Sequence, residues 1–275
     1  MARKDANMTD DLVRITKENG IAFVSLNRPD KYNALNYELF KQIDRCIKTL
    51  ARDKTLTAVV LFGEGGNFSS GLDVKSVMSS PLDAVKLLFK FLPGNANLAQ
   101  RVSIGWRRLP VPVIAVLEGI CYGGGMQIVL GADFRIAAPD CKMSIMEAKW
   151  GLVPDMAGLA GLRELMPKDQ ALMLTMSADV ISAEKALSMN LITAVEDNPM
   201  AAASKLASKL SQTSPDANAA IKRSINKSWS APVRLLLGRE SWYQVRLLLG
   251  KNRVIAALRQ TKKPDKTYRN RQSGW

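Results

Sequence analysis

The sequence predicts an α/β protein that ends in a helical region. Up to about residue 150, short apolar runs bounded by glycine or proline alternate with amphipathic stretches, a pattern typical of strands joined by crossover helices. From Ala157 onward, the apolar residues recur almost entirely at helical spacing. We therefore predict a core at residues 1–200 and a helical region at residues 201–275, which ends in a basic tail and is expected to contribute to oligomer contacts.

Each element follows from a local pattern of apolar and turn residues. Strands are predicted for short apolar or β-branched runs closed by turn residues: residues 21–26, 57–62, 113–117, 134–138, 143–145 and 192–195. Helices are predicted where apolar residues recur every three or four positions: residues 37–50, two stretches between 76 and 110, and residues 126–130, 159–166, 170–176, 183–189, 201–210, 215–228 and 240–258.

The composition excludes several classes of protein and of chemistry. No apolar run approaches the ~20 residues that a membrane span needs, and the charged N-terminus lacks the apolar segment of a secretion signal. Three widely spaced cysteines favour a reducing compartment, so we expect a cytoplasmic protein. The absence of histidine removes Ser-His and Cys-His catalysis and most zinc sites, which leaves acid–base chemistry to carboxylates, Lys, Tyr or Cys.

The formal charge of +14 favours polyanionic partners. Basic residues are spread along the chain, with a local excess at the end: Lys262, Lys263, Lys266, Arg269 and Arg271. We interpret this tail as a solvated, partly disordered end, with contact to phosphate or nucleic acid as the alternative.

A glycine turn at residues 123–125 separates an apolar strand from a helix. Glycines allow a sharp turn and a close approach to the main chain, and the helix N-terminus adds positive potential there. This arrangement is typical either of a tight turn without a ligand or of an anion or oxyanion site. A second loop, Asn-Phe-Ser-Ser-Gly-Leu-Asp-Val-Lys at residues 67–75, also joins a strand to a helix and exposes backbone amides. Two such loops facing each other provide the paired donors that an oxyanion hole needs.

Four blocks of sequence resemble the enoyl-CoA hydratase/isomerase (crotonase) family. They are Asn-Arg-Pro-Asp-Lys-Tyr-Asn-Ala-Leu at residues 27–35, Phe-Ser-Ser-Gly-Leu-Asp at 68–73, Glu-Gly-Ile-Cys-Tyr-Gly-Gly-Gly at 118–125, and Glu-Ala-Lys-Trp-Gly-Leu-Val-Pro-Asp at 147–155. The resemblance covers roughly residues 10–260. It implies a spiral of β-β-α units, a helical C-terminal part, trimers that often pair into hexamers, and an acyl-CoA thioester substrate. It implies no separate cofactor, because coenzyme A enters as part of the substrate.

The resemblance also assigns roles within the site. The backbone N–H groups of Leu72 and Gly124 would hold the thioester oxygen. Ser70, Asp73 and Lys75 would lie along the path of the pantetheine and nucleotide. Arg28 and Lys31 are candidate phosphate partners, with a solvated turn as the alternative. Lys262, Lys263 and Lys266 would reach the nucleotide end of CoA.

The carboxylates bear on the type of reaction. Hydratases of the family use two glutamates to position water and move its protons, but this chain has Gln127 at the first position and Glu147 at the second. Glutamine cannot exchange a proton at neutral pH, so we favour isomerisation over hydration, with Glu147 as the base.

Asp155, eight residues after Glu147, resembles the second carboxylate of dienoyl-CoA isomerases. Those isomerases carry an aspartate where this chain has Gln127, so the match is partial, and a helix cap is the alternative role for Asp155. For Glu147, the alternative to a catalytic role is a purely structural one.

Other functions remain open at this level. A catalytically weak CoA-ester- or RNA-binding member of the family, thioester hydrolysis and C–C cleavage are the alternatives. The apolar set Leu87, Leu88, Phe89, Phe91 and Leu92 is assigned to ordinary core packing, with the wall of an acyl tunnel as the alternative.

Overall fold

The computed structural model describes residues 11–78 and 80–275. The charged N-terminal segment, which was predicted not to be a secretion signal, lies mostly outside the described residues. The described residues form nine strands: β1 (Val13–Glu18), β2 (Ile21–Leu26), β3 (Ala58–Gly63), β4 (Val113–Leu117), β5 (Ile120–Tyr122), β6 (Phe134–Ala137), β7 (Lys142–Ser144), β8 (Ile181–Ser182) and β9 (Ala194–Val195).

Twelve α-helices are found in the same residues: α1 (Tyr37–Arg52), α2 (Val74–Met78), α3 (Pro81–Leu88), α4 (Leu98–Arg108), α5 (Gly124–Val129), α6 (Gly158–Leu165), α7 (Lys168–Ser177), α8 (Ala183–Ser188), α9 (Pro199–Ser211), α10 (Pro215–Ser228), α11 (Val233–Leu248) and α12 (Lys251–Thr261). In this part of the chain, no helix is both long and apolar enough to cross a membrane.

The main sheet has six strands in the order β1-β2-β3-β4-β6-β9. Only the β1–β2 pair is antiparallel, so the loops after β2, β3, β4 and β6 leave the same edge of the sheet. A second sheet has the order β5-β7-β8. Ligand sites of parallel α/β sheets lie beyond the carboxyl ends of the strands, and three of the four sequence blocks are carried by the loops after β2, β3 and β4.

Helices cover both faces of the main sheet. Leu61, Ala115 and other residues of one face join the principal core with α1 and α4. On the opposite face, Val60 and Ile114 pack with Ala203 and Ala207 of α9. Because the central strands are buried on both sides, their sequences are continuously apolar rather than alternating.

The α/β fold class and most predicted elements are confirmed. The strand at residues 21–26 and the helix at residues 215–228 have the predicted bounds, and α1 extends the predicted helix by two residues to Arg52. The polar strand β1 was not predicted. It is an edge strand whose residues are half-buried or exposed, so it carries no apolar alternation.

Two predictions for the C-terminal region are wrong. The helix predicted at residues 240–258 is two helices, because the chain is extended at Gly250, where a Cβ would lie 2.3 Å from Gln272 Nε2. The basic tail is not solvated throughout, since Arg271 is buried and donates hydrogen bonds to the carbonyls of Asp53 and Leu56. Lys262, Lys263 and Lys266 are exposed as predicted.

Candidate active site

The loops after β2, β3 and β4 are joined side by side by short parallel bridges. Leu35 pairs with Leu72, and Ser69 pairs with Cys121. The Ser69 hydroxyl donates to the Asn33 carbonyl at 2.8 Å and accepts from the Gly71 N–H at 3.1 Å. These contacts bring the two predicted glycine loops together at one point.

Gly71 and Gly123 occupy backbone conformations that favour glycine, with φ values of +92° and +49°. A Cβ on Gly71 would lie 2.9 Å from the Tyr122 carbonyl oxygen and 3.5 Å from the Gly124 nitrogen. The second loop therefore packs main chain against main chain with the glycine turn, a contact that larger residues prevent.

Two backbone N–H groups are free where these loops meet. Leu35 donates to the Gly71 carbonyl and accepts from the Asp73 N–H, so the Leu72 N–H points away from this bridge. The Gly124 N–H is in the first turn of α5, where a helix has no internal acceptor. Among the described residues, neither group donates a hydrogen bond. Two adjacent donors of this kind can hold a single oxygen that gains negative charge.

Glu147 is brought to the glycine turn by the second sheet. Tyr122 of β5 pairs with Ser144 of β7, and the Gly123 N–H donates to the Ser144 carbonyl at 2.9 Å. Glu147 follows three residues later, and a Cβ on Gly123 would lie 3.8 Å from its Oε1 atom. Glu147 Oε2 is buried and has no partner among the described residues. Burial raises the pKa of this carboxyl, and the negative charge of Asp155 raises it further.

Gln127 holds one oxygen of Glu147 through a buried hydrogen-bond network. Its Nε2 donates to Glu147 Oε1 at 2.5 Å. Its Oε1 accepts from the N–H groups of Met156 at 2.9 Å and Gly158 at 3.2 Å. The amide orientation is fixed, because only the oxygen can accept from these two donors and only the NH₂ can donate to a carboxylate.

The predicted alternative role of Asp155 as a helix cap is wrong. Gly158 begins α6, and its N-cap residue Ala157 makes no side-chain cap. Gln127 Oε1 instead accepts from the N–H of Gly158, the first residue of the helix, and from the N–H of Met156, two residues earlier. The Asp155 side chain is exposed at the edge of the site, and partial desolvation by the surrounding loop raises its pKa.

Residues 16–240 match the family model described as enoyl-CoA hydratase/isomerase. The chain belongs to this family. It is thus an acyl-CoA enzyme of the enoyl-CoA hydratase/isomerase (crotonase) family, and its fold is crotonase-like.

Relatives in the family have different activities. The chain is 30% identical to 1,2-epoxyphenylacetyl-CoA isomerase of Escherichia coli K12 over 82% of its own length and 86% of the relative. It is 32% identical to mitochondrial Delta(3,5)-Delta(2,4)-dienoyl-CoA isomerase of Mus musculus over 71% of its length, but spans only 62% of that enzyme. It is 29% identical to short-chain-enoyl-CoA hydratase of Clostridium acetobutylicum over 83% of its length and 86% of the relative.

Solved structures of the family superpose over nearly the whole chain. The structure of enoyl-CoA hydratase from Mycobacterium tuberculosis H37Rv aligns with a TM-score of 0.81 at 26% identity and covers 97% of this chain and 100% of its own. The enzyme from Thermoplasma volcanium GSS1 aligns with a TM-score of 0.82 at 26% identity, covering 94% and 100%. These matches extend the shared fold beyond residue 240 into the C-terminal helices.

The other predicted site residues lie in the segments that follow β2 and β3. Arg28 forms a 2.7 Å ion pair with Asp73 and also donates to the Ala34 carbonyl, so it is not the solvated turn residue of the alternative interpretation. This pair lowers the pKa of Asp73 against the opposing effect of burial. Ser70 is half-buried, and Lys31 and Lys75 are exposed.

Most of the apolar set between residues 87 and 92 lies outside the core. Leu87 is buried, but Phe89 and Phe91 are 68% and 86% exposed, and Leu88 and Leu92 are more than half exposed. The assignment of these last four residues to core packing is wrong.

Asn33 and Ser69 tie the loops together, a role that was not predicted from the sequence. Asn33 is fully buried at a φ of +53°, and its amide donates to the carbonyls of Glu64 and Asn67. A signal was present, because asparagine is among the residues that tolerate the left-handed conformation and bond to nearby backbone.

Proposed function

We propose that this enzyme shifts a carbon–carbon double bond in an enoyl- or dienoyl-CoA, with Glu147 as the base. The observation that carries this proposal is the pairing of Gln127 with Glu147 Oε1. The other carboxylate oxygen, Glu147 Oε2, is buried and has no hydrogen-bond partner among the described residues. One base is sufficient to move a double bond, whereas family hydratases use two glutamates to position water and move its protons.

The first step is removal of a proton from the carbon next to the thioester carbonyl. The thioester oxygen accepts hydrogen bonds from the N–H groups of Leu72 and Gly124, which stabilise the enolate as the C–H bond breaks. The proton passes to Glu147 Oε2, and the electron pair of the broken C–H bond enters the conjugated enolate. Burial raises the pKa of Glu147, so its ionised form is a stronger base than an exposed glutamate.

The second step returns a proton at the far end of the conjugated system. For a shift from the 3- to the 2-position, Glu147 itself can donate the proton to the new carbon. For a dienoyl-CoA, the carbons that lose and gain the proton are further apart, and Asp155 is the second carrier. The raised pKa values of Glu147 and Asp155 support this role, since a proton carrier works best with a pKa close to the working pH.

Substrate binding follows the loops around the site. Lys31 and Lys75 would contact the phosphates of coenzyme A, and Ser70 the pantetheine. Asp73 keeps its place through Arg28, which we assign to positioning this loop as well as to attracting phosphate. The exposed side chains of Phe89 and Phe91 support an apolar contact with the acyl chain.

A substrate panel tests the proposed reaction. We expect the enzyme to isomerise a 3-enoyl-CoA or a 3,5-dienoyl-CoA and to hydrate crotonyl-CoA at least about a hundredfold more slowly, because Gln127 supplies no proton. Spectrophotometric assays of each ester, with product identification by mass spectrometry, make the comparison. Hydration as fast as isomerisation would overturn the preference for isomerase activity.

The contact between the loops provides a test of the two N–H donors. We expect Gly71→Ala to lower kcat by about 10²–10³, because its Cβ would push against the Tyr122 carbonyl and separate Leu72 from Gly124. Gly66→Ala is the matched control, since Gly66 also has a positive φ, +70°, but a Cβ there meets no atom within 4 Å. Both variants are expected to lose roughly 1–3 kcal/mol of stability through backbone strain. Equal losses of kcat in the two would contradict the donor assignment.

A further inference from the structure

A cavity lies between the C-terminal end of α4 and one face of α10. Its volume is about 390 Å³, which is within the range of small-molecule sites. Pro110, which lines this cavity, precedes β4, whereas the glycine turn follows the opposite end of that strand. The cavity is therefore separate from the proposed acyl-CoA site.

Basic side chains predominate in this cavity, and Arg108 and Lys227 among them are exposed. The charged side chains that line it are all basic: Arg107, Arg108, Lys222, Arg223 and Lys227. Arg107 pairs with Glu164 and Lys222 with Asp133, each at 2.6 Å. In the part of the chain that the structure describes, Arg108, Arg223 and Lys227 have no carboxylate within 4.0 Å.

The uncompensated cations repel one another. Arg223 and Lys227 are four residues apart on the same face of α10, a spacing at which like charges destabilise a helix. Burial and the charges of Arg223 and Arg239 lower the pKa of Lys227. A bound anion would remove this repulsion.

Trp275 also lines this cavity. Its indole Nε1 is buried and has no acceptor among the described residues. The ring is held by Arg246, whose guanidinium carbon lies 4.0 Å from the ring centroid.

We propose that this cavity binds a small polyphosphate anion, such as the diphosphate of a nucleotide, between Arg108, Arg223 and Lys227. A guanidinium presents a planar fork of donors that matches two phosphate oxygens, and lysine adds a compact point charge. The Gly274 carbonyl accepts from Arg223 Nη1 at 2.9 Å and holds this side chain in place. None of the residues that line the cavity is assigned to the acyl-CoA reaction.

Titration calorimetry with inorganic pyrophosphate at about 0.15 M salt tests the proposal, because non-specific attraction between exposed charges is screened at this ionic strength. The test variant is Arg108→Gln with Lys227→Gln, since neither side chain makes a hydrogen bond or ion pair in the described residues. The matched control is Lys205→Gln with Lys209→Gln, which removes two exposed cations from α9.

We expect pyrophosphate to bind the wild type and the control with the same affinity. It should bind the test variant at least about tenfold more weakly, because the loss of even one charge-assisted hydrogen bond has an effect of about this size. Equal weakening in both double variants, an unchanged affinity in the test variant, or no binding to the wild type would each overturn the proposal. Because pyrophosphate binding needs no turnover, these results are independent of whether the enzyme is an isomerase.

Parallel titrations with ADP and coenzyme A identify the source of the phosphate. Weaker binding of ADP alone to the test variant indicates a free nucleotide as the ligand. Weaker binding of coenzyme A as well indicates the nucleotide end of a CoA ester.

Discussion

Replacing Glu147 by Gln is expected to lower kcat for double-bond isomerisation by about 10²–10⁴, the usual contribution of a general base. Glutamine preserves the size of the side chain but cannot accept the proton from carbon. The N–H groups of Leu72 and Gly124 remain in place, so the Kd for an enoyl-CoA should change little. Stopped-flow kinetics together with calorimetric binding of a non-reactive acyl-CoA separates these two effects.

The pH profile gives an independent measurement on the same residue. Because the pKa of Glu147 is raised, the carboxyl stays protonated, and inactive as a base, to a higher pH than an exposed glutamate. In the wild type, kcat/KM should therefore fall as the pH drops through this raised pKa, and Glu147→Gln should lack that acid limb. Glu240→Gln, at an exposed glutamate of α11, is the control and should match the wild type. Substantial isomerase activity in Glu147→Gln would disprove the assignment of the base.

Replacing Gln127 by Glu is expected to raise hydration of a 2-enoyl-CoA by about 10²-fold or more, since it supplies the missing acid–base partner. The N–H groups of Met156 and Gly158 favour a negative charge at position 127. Glu147, now beside a second carboxylate, should have its pKa raised further, and the two groups titrate as a coupled pair. The acid limb of isomerisation should consequently move to higher pH, and isomerisation at neutral pH should fall.

Gln127→Met is the matched control for this prediction. It removes the hydrogen bonds to Glu147, Met156 and Gly158 while keeping a side chain of similar length. Isomerisation should fall because Glu147 loses the partner that orients it, but hydration should not rise. If both variants gain hydration equally, then loosening of the loop before α6, rather than the added carboxylate, would be the cause.

Local pattern predicted much of this molecule because its central strands are buried on both faces and its helices are amphipathic. The strand at residues 113–117 is apolar at every position, and α1 carries its apolar residues on one face, so both were predicted. β1 and the break at Gly250 were not. The first is a polar edge strand, and the second depends on Gln272, which is distant in sequence and packs against that glycine.

The candidate site shows the same division. The glycine turn, the second loop, Gln127 and Glu147 could all be identified from sequence, because each belongs to a short block with its own backbone requirement. The partners of their side chains could not. Asp155 was weighed as a helix cap, and Gln127 proved to satisfy the N–H groups of Met156 and Gly158 instead. Arg28 was predicted as a phosphate partner, with a solvated turn as the alternative, and neither interpretation included its ion pair with Asp73, 45 positions away in the chain.

By itself, the sequence determined the fold class, the family and the absence of a second acid at position 127. It did so because these properties depend on residue identity and on order along the chain. Only the tertiary structure decided that the two loops meet main chain to main chain at Gly71, and that Gln127 occupies Oε1 of Glu147 while leaving Oε2 free. Such contacts join segments that are 20 to about 50 residues apart. Hydrogen bonding and burial depend on which groups are close in space, and not on which are close along the chain.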